Sequence, residues 1–324
     1  MKLVICGAGP AGVEAAIAAR NAAPEAEIVL LSGESVLPYR RPALSDLIKG
    51  GEINETGFYI KKADFYAEKA ITLRLNTTVT AIAEKSLRCA DGSVENFDSL
   101  IIATGGRAIL PPLPGAKDNA NVFTLRDFAD LRRINDKLDS GTVRRAVIIG
   151  AGVLGLEVAE SLLARNAQVT LLERGPQLFA GRLDSEKAAA AAATVTALPG
   201  LDLRFNASVT QILPDGVVLA DGEMLAADLI FFATGCAPVF PAELPEKLLV
   251  KRGIVVDGFL QSSVPGIFAC GDAMEFQERC FGLFNDARNS GKCAGNCAVG
   301  NMVQYDIQQP TPMRCFACGL KLVM

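Results

Sequence analysis

Two glycine-rich hexapeptides carry the most legible chemistry in this 324-residue sequence: Gly7-Ala8-Gly9-Pro10-Ala11-Gly12 and Gly150-Ala151-Gly152-Val153-Leu154-Gly155. Glycines at this spacing suit a dinucleotide pyrophosphate. The first allows a tight turn, the second lets backbone approach the phosphates, and the third lets helix and strand pack closely. Each hexapeptide is followed by an acid, Glu34 or Glu173, at the end of a second apolar run. A carboxylate there can accept hydrogen bonds from a ribose hydroxyl pair. The sequence contains no histidine, which excludes Ser-His-Asp and Cys-His catalysis. Its nine cysteines, an odd number, are scattered, so free thiols are expected rather than a disulfide framework. Cys293, Cys297, Cys315 and Cys318 loosely echo a four-cysteine zinc pattern. The first two fall in an alanine-flanked helical stretch where small apolar packing is the ordinary reading, and no metal is expected.

The elements around these residues read as a strand, a turn and a helix, twice. Residues 2–6 form an apolar strand, residues 13–20 a helix, and residues 27–31 a second strand. Residues 146–149, 156–165 and 169–172 repeat that order. The start of each helix offers unpaired N–H groups and a partial positive charge to an anion. The duplication extends beyond the glycines. Asn76, Val79, Thr80, Ile82, Asp91-Gly92, Asp98 and Ala103-Thr104-Gly105 recur 130 positions later (206 minus 76) as Asn206, Val209, Thr210, Ile212, Asp221-Gly222, Asp228 and Ala233-Thr234-Gly235. The glycine turns are offset by 143 (150 minus 7), so the first copy carries 13 extra residues, placed at 39–51. So many identities at one offset describe two units of one plan. Within each, alternating strands form a β-meander.

Half the residues are hydrophobic and 21% are charged, enough for sizeable cores. The net charge of −4 points to neither nucleic acid nor an anionic membrane as partner. No apolar run reaches the roughly 18 residues of a transmembrane helix. The N-terminus enters a strand without a signal-peptide pattern, so a cytoplasmic protein is expected. The fold class is α/β, with two Rossmann-like dinucleotide-binding domains and β-meander insertions. Residues 111–115 read as a linker, and 125–138 and 185–198 as helices. The tail has short strands at 253–256 and 267–269 and a helix at 287–299, but no glycine hexapeptide of its own. It is therefore expected to complete the first domain, giving 1–112 plus 246–324 against 113–245.

The motifs GAGPAG (7–12), ATGG (103–106), GAGVLGLE (150–157), ATGCAP (233–238) and GIFACGD (266–272) together resemble the FAD-dependent pyridine nucleotide–disulfide oxidoreductases. PYRRPALS (38–45) is similar to the loop of the NADH-dependent rubredoxin and ferredoxin reductases and the nitrite reductase flavin subunits. The resemblance implies FAD in the first unit and NADH in the second, with NADPH the lesser alternative. It implies that Gly7, Gly9, Pro10, Ala11 and Gly12 hold the FAD pyrophosphate and Glu34 the adenosine ribose. Val79 would meet the adenine edge through its backbone. Ala103, Thr104 and Gly105 would close the site. Gly271 and Asp272 would meet the ribityl hydroxyls, and Arg41, Arg126 and Phe284 would approach the flavin side. In the second unit Gly150, Gly152, Val153, Leu154 and Gly155 would hold the NAD pyrophosphate, with Gly235 closing that site. Glu157 would face the nicotinamide end and Glu173 the ribose.

Asp46 stands where this branch often carries lysine. The family also commonly continues into an interface domain beyond Met324, which leaves the oligomeric state open. The loop after Glu34 has no thiol, since no cysteine lies between Cys6 and Cys89, and Cys236 is the only one from 113 to 248. The flavin itself is then the expected redox centre, with no certain catalytic side chain. The implied function is transfer of electrons from NADH to a one-electron carrier such as rubredoxin or ferredoxin, or to a partner subunit. An NADH oxidase or diaphorase is the enzyme alternative. A non-catalytic flavin- or NAD-sensing protein is the other, although sensing needs only one of the two sites. The basic doublets Arg132-Arg133 and Arg144-Arg145 are expected as solvated faces.

Overall fold

In a computed structural model of the chain, residues 1–51, 53–180, 183–307, 312–315 and 320–323 are described. They form two compact units: Met1–Arg40 with Asn54–Arg107 and Cys236–Gln309, and Arg41–Ile53 with Ala108–Gly235 and Pro310–Met324. The tail after residue 235 thus groups largely with the N-terminal unit. The segment Arg41–Ile53, expected within the first domain, groups with the second unit. The cause is local: Ser161 Oγ donates to the Ser45 carbonyl at 2.8 Å, and Asn135 Nδ2 to the Leu47 carbonyl at 3.3 Å.

The first unit is built on a parallel sheet in the order Ile267–Ala269, Ser99–Ile102, Lys2–Cys6, Glu27–Leu31, Ile71–Arg74. Its central strand buries Leu3, Val4 and Ile5 completely. Both neighbours are equally apolar, as a parallel sheet covered on two faces requires. The second unit repeats this with Leu201–Arg204, Gln168–Leu172, Arg145–Ile149, Leu229–Phe232 and Val122–Phe123. Each unit has a three-stranded antiparallel meander, Val79–Ile82, Ser86–Cys89 and Val94–Asn96 in one, Val209–Leu213, Gly216–Leu219 and Met224–Ala226 in the other.

The helices after the glycine turns begin earlier than the sequence pattern suggests, at Pro10–Ala22 and Val153–Ala164. Pro10 occupies the first helical position, where its missing N–H costs nothing. The charged helix is Phe128–Asp139, not 125–138, because the Asp127 carboxylate caps it by accepting from the Asp130 N–H at 2.9 Å. The tail helix is Phe284–Ala298.

The repeated identities hold the same structural posts in both copies. Asn76 and Asn206 adopt φ of +52° and +53°, a left-handed conformation that asparagine tolerates. Gly92 and Gly222 follow with φ of +84° and +90° in the two hairpin turns. Asp98 Oδ2 accepts from the Lys2 N–H, as Asp228 Oδ2 does from those of Arg144 and Arg145. Both meanders carry a register irregularity at the same place, Val79/Ala81 and Val209/Gln211.

Candidate functional sites

Each glycine turn places its three glycines in three different environments. A Cβ on Gly7 would lie 2.2 Å from the Ala103 carbonyl oxygen, and one on Gly12 would lie 1.8 Å from that of Gly7. A Cβ on Gly9 would meet nothing within 4 Å. The second unit reproduces this pattern. Gly150 and Gly155 would clash at 2.6 and 2.0 Å with the Ala233 and Gly150 carbonyls, and Gly152 faces open space. Gly7 and Gly150, with φ of +106° and +107°, also adopt a backbone conformation that favours glycine. Gly9 and Gly152 are the helix N-caps, and neither makes a side-chain cap bond. Two helix starts with an open approach to backbone fit the pyrophosphates of two dinucleotides.

The acids after each second strand are partly buried and engaged. Glu34 Oε2 accepts from the Tyr39 hydroxyl at 2.7 Å. The sequence pattern gave Tyr39 no role; its ring stacks on Phe58 with centroids 5.1 Å apart, which orients the hydroxyl. Glu173 Oε2 accepts from the Ala151 N–H at 3.1 Å and Oε1 from the Gly175 N–H at 2.7 Å. A carboxylate has about four acceptor directions, so two remain for ribose hydroxyls.

Thr104 Oγ1 donates to the Val239 carbonyl at 2.5 Å, and Thr234 Oγ1 to the Ile109 carbonyl at 2.6 Å. The repeated threonine therefore ties down the chain leaving each sheet. Gly105 and Gly235 follow with φ of +72° and +106°. Val79 lies at the irregular end of its meander strand. Gly271, at φ +65°, donates its N–H to Ser290 Oγ at 2.9 Å, and Ser290 is fully buried. No sequence motif marks Ser290. Asp272 lies near Asp286, in the first turn of the helix that Phe284 opens. Burial, then the Asp272 charge, raises the Asp286 carboxyl above its ordinary range. Arg41 and Arg126 are brought together in the second unit, Arg41 Nη1 donating to the Arg126 carbonyl at 2.6 Å.

Glu157 lies on the helix Val153–Ala164, and its Oε2 accepts from Ser45 Oγ at 2.8 Å. Burial pushes its carboxyl up to about 7. Asp46 pairs with Lys49 at 3.4 Å, and Lys49 reaches Glu160 at 3.1 Å. Among the described residues Cys6, Cys89, Cys270, Cys280, Cys293 and Cys297 are free thiols, and no three candidate ligands gather as a metal site. Cys293 and Cys297 are buried on the helix Phe284–Ala298, both within 3.2 Å of the Val303 carbonyl. Cys318 lies outside the described residues, and the side chain of Cys315 is likewise not described.

Two glycine turns, each followed by a partly buried acid, have the form of two dinucleotide sites, and the comparisons specify the class of protein. Residues 1–291 match the family described as pyridine nucleotide-disulphide oxidoreductase, and the chain belongs to it. It is 34% identical over 290 residues to a rubredoxin-NAD(+) reductase of Pseudomonas putida, covering 87% of this chain and 74% of that protein. The crystal structure of a ferredoxin reductase from Rhodopseudomonas palustris is similar with a TM-score of 0.86 and 27% identity, covering 94% of this chain and 78% of that one. NADH:rubredoxin oxidoreductase from Clostridium acetobutylicum is similar with a TM-score of 0.82 and 28% identity, covering 96% and 78%. Membership of this family makes the chain an oxidoreductase. No helix among the described residues is long and apolar enough to cross a membrane.

Proposed function

We propose that the first unit holds FAD, the second holds NADH, and electrons pass on to a small one-electron carrier protein of the rubredoxin or ferredoxin kind. The observation that carries this reading is the duplicated turn, open at Gly9 and Gly152 and closed by backbone at Gly7, Gly12, Gly150 and Gly155. Gly7 to Gly12 and Glu34 take the FAD pyrophosphate and ribose. Val79 presents backbone to the adenine, and Ala103, Thr104 and Gly105 close the site. Gly271 and Asp272 serve the ribityl chain, and Phe284 the flavin side. Gly150 to Gly155 and Glu173 take the NADH pyrophosphate and ribose, Gly235 closes that site, and Glu157 lies at the nicotinamide end. Flavin supplies hydride acceptance from NADH and release of electrons one at a time. The chain's own residues bind and orient, because no side chain at either site is a redox thiol among the described residues.

The carrier is supported by the relatives, whose names are rubredoxin-NAD(+) reductase, ferredoxin reductase and NADH:rubredoxin oxidoreductase. A cytoplasmic setting fits that chemistry, since such carriers meet NADH there. The test is an acceptor panel with purified, FAD-loaded protein and NADH. Rubredoxin or ferredoxin should be reduced far faster than dioxygen or a quinone. Equal or faster reduction of the small molecules would point instead to an oxidase or diaphorase.

A further inference from the structure

Ser45 has one hydroxyl hydrogen and faces two acceptors. Its Oγ is 2.8 Å from Glu157 Oε2 and 3.1 Å from the Pro42 carbonyl oxygen. One hydroxyl donates to one of them at a time, and the proton on Glu157 decides which. An ionised carboxylate only accepts, so it takes the serine hydrogen. A neutral carboxyl can donate to Ser45 Oγ, which leaves the serine hydrogen for Pro42. Ser161, fully buried, lies 2.8 Å from the Ser45 carbonyl and 2.9 Å from the Glu157 carbonyl. Its one hydrogen, given to the Ser45 carbonyl, holds the loop backbone to the helix that carries Glu157, so the exchange moves hydrogens rather than chain.

We propose that Glu157 is a proton switch that discriminates the two charge states of the nicotinamide ring, favouring NAD+ when ionised and NADH when neutral, with Ser45 setting the pH at which it turns over. The inference rests on the reading that Glu157 lies at the nicotinamide end. The oxidised ring is cationic and the reduced ring neutral, so a carboxylate held away from bulk water attracts the first and not the second. Among the described residues, the charged groups around Glu157 are Asp46 and Lys49 from the loop and Glu160 from its own helix. The residue reaching this loop from the helix Phe128–Asp139 is the neutral Asn135. Lys49 is shared between Asp46 and Glu160. Burial is the main cause that raises Glu157 to about 7, with Asp46 and Glu160 adding to it; the Ser45 hydrogen bond and Lys49 oppose it. Both protonation states are therefore populated near neutrality.

The sign follows from linkage. A ligand that prefers ionised Glu157 lowers its pKa, expels its proton and binds more tightly as pH rises through about 7. Rising pH therefore retains the product NAD+, and falling pH releases it.

The test is calorimetric binding to the full, FAD-loaded chain at about pH 6 and about pH 8. The probes are NAD+ and tetrahydro-NAD, whose neutral ring cannot give up hydride. NAD+ should tighten by about three- to tenfold across this range with net proton release, while tetrahydro-NAD does not tighten. Glu157→Gln should flatten the NAD+ profile. Ser45→Ala, which removes the donor to the ionised form, should move its midpoint to higher pH. If the wild-type protein binds both probes with the same pH dependence, or Ser45→Ala leaves the midpoint in place, the switch is overturned while the nicotinamide-site reading stands. If neither probe binds at either pH, both fall together.

Discussion

Three glycines per turn have three separable jobs, and substitution can pull them apart. Gly9 adopts φ of −70° with open space above it, so a larger residue fits the fold but occupies the pyrophosphate approach. Gly9→Val should cost about 1 kcal/mol of stability, as a poorer N-cap does, yet yield colourless protein on purification. Gly12→Ala drives a Cβ into the Gly7 carbonyl and should cost more than about 3 kcal/mol, seen as a lower melting temperature or insoluble protein. A Gly9→Val protein that retains FAD at unit ratio would refute the assignment of that turn. On the proposed reading, Glu173 favours NADH over NADPH, since a carboxylate repels a 2′-phosphate. Glu173→Ala should narrow the NADH-over-NADPH preference by about tenfold, equivalent to about 1.4 kcal/mol. Rates of flavin bleaching with each cofactor check this. Equal rates in the wild type would show that Glu173 does not discriminate.

Among the elements, the helix Phe284–Ala298 sets two glycines directly against another helix. A Cβ on Gly291 would lie 2.1 Å from the Ala11 carbonyl oxygen, and one on Gly295 would lie 2.2 Å from that of Ala15. Two glycines one turn apart thus let this helix lie backbone to backbone against Pro10–Ala22, the helix that opens on the first glycine turn. Gly291→Ala or Gly295→Ala must push the helices apart. Each should destabilise the first unit by about 1–3 kcal/mol and weaken FAD retention, measured as flavin content after dialysis. A melting curve and flavin content matching the wild type would show that the contact is not needed. The sequence pattern placed a helix here at 287–299 but not its purpose. Gly291 and Gly295 have meaning only beside Ala11 and Ala15, residues far away in the chain.

Across the described residues, Cys6, Cys89, Cys270, Cys280, Cys293 and Cys297 are free thiols. Alkylating accessible cysteines should leave NADH-to-flavin transfer intact, because that step needs only the reacting atoms held in near-attack geometry. An anaerobic dithionite titration should take up two electrons per FAD. A four-electron end point that survives replacing Cys315 and Cys318 with Ser would reveal a disulfide centre and overturn this reading. The two strand–turn–helix units and the positions of Glu34 and Glu173 after their second strands were legible in the sequence. Glycine spacing, apolar strand runs and a duplication at constant offset are local or periodic signals, and backbone geometry leaves few other ways to satisfy them. The partners of those residues were not legible. Tyr39 on Glu34, Ser290 under Gly271 and the grouping of residues 41–53 with the second unit depend on contacts between distant stretches of chain. The same holds for Glu157. Its place after a glycine turn is written in the sequence, but its proton affinity comes from burial and from one serine 112 residues away. Only the tertiary structure supplies those, because desolvation and hydrogen-bond competition act between groups that the fold brings together.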